Sequence, residues 1–340
     1  MTIINQKAYK ILENSIKKNS LSHFYIFHGP NNVGKKNLAI SFAKLLFCKE
    51  NTKDCLVSSE TCINCKKIDD GKHYDLVIMD SKSPVDGVED NKSDQIRLAH
   101  VQEINRIANL GPFMSEYKIF ILDGAEKLNN EASNAFLKLL EEPPKSSIFL
   151  FLVNDLSSIY PTILSRAQKI NILEISEEEM EKYISTNFDI DDSVIQKILQ
   201  FSLGKIEIAE KLSSDTTLID GYYESYDRFL EFCTSDISER MNFAQKFSTR
   251  FRTDRNAIFN ELNLWIDFCK ISLNNFYEDK NSQLFDTDLF DMFDTEEINN
   301  FVLELIKTIS NLRSNANPRL VFDVMGLNLP VFQKEKLNGI

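Results

Sequence analysis

The chain has 340 residues, 43% hydrophobic and 26% charged, a globular composition long enough for two or three domains. Its formal charge of −12 opposes adhesion of the whole surface to nucleic acid, because phosphate is met by a surplus of Lys and Arg; any such contact is confined to a local patch. The longest apolar run, Ile148 to Val153, is far shorter than a membrane span, and Met1 to Ser20 lacks an apolar signal core, so a cytoplasmic protein without a membrane partner is expected.

In chain order, short apolar runs occur at Phe24 to Phe27, Leu76 to Met79, Ile119 to Leu122 and Ile148 to Val153, with a weaker one at Lys169 to Leu173. Helical spacing separates them, as from Asn32 to Phe47. Continuous rather than alternating apolar strands belong to a parallel sheet covered on both faces, which predicts an α/β domain over residues 1–173. The acidic stretch Asp80 to Asp94 reads as a solvated loop or a partner-binding edge. Ser176 with Glu179 forms a capping box that should start a helix, and the stripe Val194, Ile195, Ile198 and Leu199 should end at Gly204 in a left-handed C-cap. These make a small helical lid over residues 174–213. From residue 218 to 340 only helices are expected. One face carries Ile258, Leu262, Trp265, Cys269 and Leu273, and another Ile298, Phe301, Val302, Leu305, Ile306 and Ile309. The acidic, Phe-dotted segment Tyr277 to Asp294 reads as a second loop or edge.

Gly29-Pro30-Asn31-Asn32-Val33-Gly34-Lys35 follows the first strand and opens a helix, the context of a phosphate-binding loop. Glycines let backbone amides curl round an anion, the helix N-terminus adds favourable partial charge, and Lys35 would pair with the β and γ phosphates of ATP, or with the β phosphate of ADP. The next position should carry the Ser or Thr hydroxyl that holds Mg²⁺, but it is Lys36, and a second cation cannot coordinate a metal. Asp123, ending the third strand, remains as an acidic metal-side residue.

Cys48, Cys55, Cys62 and Cys65 crowd into 18 residues, and the Cys62 to Cys65 pair has zinc-knuckle spacing. A structural Zn²⁺ site is expected rather than a catalytic one, because four sulfurs leave no open position for water; an unmetallated cluster is the alternative. Cys233 and Cys269 read as small core residues.

Two further runs carry a family resemblance. Asn134-Ala135-Phe136-Leu137-Lys138-Leu139-Leu140-Glu141-Glu142-Pro143-Pro144 is similar to the "NALLKTLEEPP" run of clamp loaders, and Pro161 to Gln168, with Ser165-Arg166-Ala167, is similar to their "SRC" region. With His23, the run Gly71 to Leu76 and the run Asn315 to Leu320, the chain resembles the clamp-loader branch of the AAA+ superfamily and, within it, the delta-prime subunits of bacterial DNA polymerase III. The resemblance implies an AAA+ α/β domain, a helical lid and an all-α collar for ring assembly. It also implies that Arg166 is an arginine finger acting in trans on ATP held by a neighbour. Asn154 falls at the sensor 1 position and Lys205 at sensor 2, where Arg is commoner. Gly124 stands where AAA+ ATPases carry the water-activating glutamate, and Glu126 lies too far along to replace it without rearrangement. In related four-cysteine modules the second ligand corresponds to Ser59 of this chain, so Cys55 would serve from the preceding loop.

The expected function is therefore that of a hydrolysis-deficient clamp-loader subunit. Its implied partners are gamma/tau and delta subunits, with the sliding clamp and primed DNA reached through the complex. Two rivals stay open: a gamma/tau-type ATPase sharing these motifs, and a zinc-bearing module that binds nucleic acid directly.

Overall fold

The computed structural model describes residues 5–48, 62–86, 94–277, 293–314 and 316–330. By its internal contacts the chain divides into two compact units, residues 1–183 with 204–207, and residues 184–203 with 208–340.

The first unit opens with α1 (Gln6–Lys17), β1 (Phe24–His28), α2 (Lys35–Phe47), α3 (Ile63–Asp69) and β2 (Leu76–Met79). It continues with α4 (Leu98–Asn109), β3 (Lys118–Asp123), α5 (Asn130–Glu141), β4 (Ser147–Val153), the single turn α6 (Pro161–Leu164) and β5 (Gln168–Asn171). The five strands form one sheet in the order β2-β3-β4-β1-β5, every pairing parallel. Successive side chains of a strand point to opposite faces, and here both faces are dry. Tyr25, Phe27, Ile119, Ile121, Leu150 and Leu152 pack with α1, α2 and Ile68 on one side. Phe24, Ile26, Phe120, Leu122, Phe149 and Phe151 pack with α4 and α5 on the other. That is why the strands are unbroken apolar runs and not alternating ones. The fifth strand ends two residues earlier than the apolar run predicts; Ile172 stays buried and donates its N–H to the His28 carbonyl. The buried polar residues His73 and Asp75, on either side of the exposed Tyr74, also have a packing reason. Asp75 is fully buried and accepts the amides of Phe113, Met114 and Ser115 at 2.6, 2.7 and 2.9 Å, while His73 stacks on Phe47.

Beyond the sheet come α7 (Glu177–Asn187), α8 (Asp192–Ser202) and α9 (Ile206–Ser214). The Ser176 hydroxyl accepts the Glu179 amide, and Leu203 and Gly204 turn left-handed in succession, φ 48° and 74°, so the predicted stop is realised over two residues. The rest of the described chain is helical: α10 (Leu218–Thr234), α11 (Ile237–Thr253), α12 (Arg255–Tyr277), α13 (Thr295–Arg313) and α14 (Pro318–Asn328). Trp265 on α12 is fully buried among Phe229, Phe232 and Phe247. On α13 the buried stripe runs through Ile298, Phe301, Leu305, Ile309 and Leu312, whereas Ile306, expected on it, is 51% exposed. Its place is taken by Thr308, buried at the helical spacing that Ile306 misses. The acidic segments expected as loops lie partly outside the described residues, at 87–93 and 278–292. Among the described residues no helix is long and apolar enough to cross a membrane.

The second unit holds a buried guanidinium with no carboxylate among its hydrogen-bond partners. Arg240 of α11 donates Nε to the Phe232 carbonyl, Nη2 to those of Cys233 and Pro330, and Nη1 to those of Gly326 and Leu329. These acceptors end α10 and α14, where helix carbonyls lack intrahelical donors and carry partial negative charge. Arg240→Met keeps the stem but leaves those carbonyls dry. It should lower the unfolding free energy by about 3 kcal/mol, read from the midpoint of urea denaturation. An unchanged midpoint would show that the carbonyls find other donors.

Candidate functional site

β1, β4 and β3 lie side by side, so their C-terminal ends bring together the segment after His28, the segment after Val153 and Asp123. Ligands of open α/β sheets settle at this edge. At Gly29 the turn passes so close to the strand-five extension that an added Cβ would lie 1.8 Å from the Ile172 carbonyl oxygen; only glycine fits. The loop then enters α2 through Gly34, φ 86°. Among the described residues, the amides of Gly34, Lys35 and Lys36 donate to no protein acceptor, the expected state of a helix N-terminus awaiting an anion.

Around this loop lies a cavity of about 420 Å³, lined also by Asp80, Lys82, Lys127 and Glu207. Lys35 Nζ donates to the Gly29 carbonyl at 2.8 Å, the Pro30 carbonyl at 2.5 Å and Asn154 Oδ1 at 3.0 Å. Burial lowers the Lys35 pKa, opposed first by the nearby Glu126 carboxylate. Asn154, just past β4, passes the contact on, its Nδ2 donating to Glu126 Oε1 at 2.6 Å. The other Glu126 oxygen is buried without a hydrogen-bond partner, and burial raises that carboxyl's pKa. Lys36 Nζ sits 3.1 Å from the Asp123 carboxylate.

The loop fits a phosphate chain: free amides, a lysine bound only to neutral oxygens, and a glycine turn that nothing else would fit. It does not fit Mg²⁺ beside that chain. The hydroxyl ligand is absent at Lys36, and the carboxylate that would help hold the ion is engaged by the Lys36 ammonium.

Of the residues singled out in the sequence, Gly29, Gly34, Lys35, Lys36, Asp123 and Asn154 meet at this edge. Lys205 is half-buried and does not line the cavity, whereas Glu207, two residues on, does. Arg166, just past α6, is also outside the cavity lining; its Nη2 lies 2.7 Å from Glu141 and its Nη1 donates to the Thr162 carbonyl. Glu126 stands on a short 3-10 turn, Ala125–Lys127, which bends its side chain back to the cavity despite its distance in sequence from Asp123. Asp80, which opens the acidic stretch read as a solvated loop or partner-binding edge, directly follows β2 and lines the cavity at the same carboxyl edge.

The Sγ atoms of Cys48, Cys62 and Cys65 lie within 4.8 Å of one another, a group able to hold a metal ion. Cys55, the expected fourth ligand, lies outside the described residues. Burial pushes the Cys65 thiol pKa well up in the metal-free chain, helped by Cys62 and Cys48.

The raised Glu126 pKa has a sign that can be checked. A carboxyl whose folded pKa lies above its unfolded value near 4.5 contributes stability that is full below that value and is lost as pH rises through the folded pKa. Glu126→Gln keeps an acceptor for Asn154 and cannot ionise, so thermal melts should show a flatter pH profile above pH 4.5 and a higher Tm than wild type at pH 7. Superimposable profiles would contradict the burial argument.

Residues 4–176, half of the chain, match the family described as DNA polymerase III, delta subunit. The chain is 32% identical to the Bacillus subtilis DNA polymerase III subunit delta' over 170 residues, 50% of this chain and 48% of that protein. It is 30% identical to the Haemophilus influenzae DNA polymerase III subunit tau/gamma over 200 residues, 57% of this chain and 27% of that protein. The match thus spans half or less of these relatives' own length. A Thermotoga maritima structure, described as a DNA polymerase III, gamma subunit-related protein, aligns over 93% of this chain and 99% of its own at 16% identity, with a TM-score of 0.47. On the match over half its length, the chain belongs to the DNA polymerase III, delta subunit family, within the clamp-loader group of delta-prime and tau/gamma proteins.

Proposed function

We propose that this chain is a delta-prime-type clamp-loader subunit that does not hydrolyse ATP and supplies Arg166 to the nucleotide site of a neighbouring gamma/tau subunit. The observation that carries the reading is the Lys36 to Asp123 contact at 3.1 Å, which engages the carboxylate that would help hold Mg²⁺. Phosphoryl transfer depends on positioning and on a metal that neutralises developing charge, so a loop lacking the metal's ligands keeps binding elements without turnover. Gly124 removes the usual water-activating glutamate as well. A guanidinium is always charged and forks onto phosphate oxygens, and Arg166 is partly exposed with its present partners on the surface. Delta and gamma/tau subunits are the partners this role requires, and the assembled ring would act on a sliding clamp at primed DNA.

The identity to a tau/gamma subunit supports a second reading, an ATPase of that kind. Magnesium-dependent turnover by the purified chain alone would favour it over ours. The finger is tested by reconstitution with gamma/tau, delta and clamp. Arg166→Ala should leave assembly intact while the clamp-stimulated ATPase rate falls, given that a finger of this kind is worth about 10³-fold or more at its own site in GTPases. Unchanged hydrolysis removes Arg166 from the role.

Cys48, Cys62 and Cys65, completed by Cys55, are proposed as a structural Zn²⁺ site. The purified chain should carry one zinc by elemental analysis. Cys65→Ser should lose it and melt earlier, because structural metal binding is coupled to folding.

A further inference from the structure

We infer that the loop over residues 29–36 binds a di- or triphosphate chain free of divalent metal, with the Lys36 ammonium standing in for the ion. This rests on the phosphate-binding reading of the cavity and is independent of the role given to Arg166.

Among the described residues, the N-terminus of α2 presents unpaired amides, and Lys35 meets two carbonyls and an amide oxygen with no carboxylate within hydrogen-bond reach to neutralise its charge. Asp123 alone would repel a polyphosphate. In phosphate-loop enzymes a divalent ion cancels that repulsion. Here Lys36 cancels it at 3.1 Å, with a cation fixed by the covalent chain. A magnesium ion arriving with the nucleotide finds no hydroxyl ligand, an occupied carboxylate and a like charge in its place. The bare polyphosphate is the form this loop complements. Among the described residues no aromatic side chain lines the cavity, so the group it complements is the phosphate chain. A nucleoside diphosphate and inorganic pyrophosphate share that chemistry and are tested as separate arms.

The full chain is titrated with fluorescent N-methylanthraniloyl-ADP and, by calorimetry, with pyrophosphate, each in EDTA, with retention of the zinc and of the fold confirmed by elemental analysis and thermal melt, and in millimolar Mg²⁺. At least one ligand should bind in EDTA and bind about tenfold more weakly in Mg²⁺, the scale of one lost charge contact. Lys36→Thr, which restores a hydroxyl and frees Asp123, should reverse the order so that Mg²⁺ tightens binding. Lys36→Gln, which removes the cation and supplies no hydroxyl, should bind neither form. Failure of both ligands to bind wild type in EDTA, tighter wild-type binding in Mg²⁺, or wild-type affinity in Lys36→Gln would each overturn the inference. None of these results bears on the reconstituted ATPase assay of Arg166.

Discussion

A sheet whose strands all run the same way must be covered on both faces, because its crossovers place helices there. In this chain the strand order β2-β3-β4-β1-β5 sets the ends of β1, β4 and β3 next to one another. Residues distant in sequence, Lys35, Asp123 and Asn154, therefore share one edge. Gly29 shows how tight the arrangement is, since the turn runs against the Ile172 carbonyl with no room for a methyl group. Were that approach lost, the loop would move off the strand and the helix amides would no longer face the cavity.

Within this frame the two consecutive lysines have different chemistry. Lys35 is tethered by neutral oxygens and keeps its charge available, whereas Lys36 is paired with the carboxylate at the end of β3. An ammonium carries one charge on a flexible stem and cannot gather oxygens as a divalent ion does. The proposed separation of holding a phosphate from cleaving it rests on this replacement next to the loop lysine, together with Gly124. Asn154 links the tethered lysine to Glu126, so these three side chains form one hydrogen-bonded chain beside the Lys36–Asp123 pair.

The architecture was largely legible because buried parallel strands are short continuous apolar runs and the loop glycines fall between a strand and a helix. Cap chemistry marked helix starts at Ser176 and stops at Gly204 equally well. Side-chain reach was not legible. Glu126 reads as misplaced by its distance from Asp123, yet a 3-10 turn carries it back; Lys205 matches a motif position while Glu207 reaches the cavity. Ile306 belongs to an apolar list but misses the buried face, since periodicity gives the angle of a stripe and not its edges. The cysteine cluster was legible as spacing, and three of its sulfurs do converge. The buried Arg240 gave no signal, because its acceptors are main-chain carbonyls up to 90 residues away, which no side-chain pattern announces.

That arginine also orders events during synthesis. Its acceptors at Phe232 and Cys233 precede it, but those at Gly326, Leu329 and Pro330 are made some 86 to 90 residues later. A nascent chain that has reached only α12 contains two of the five carbonyls, and the full acceptor set for this guanidinium exists only once residue 330 has been made.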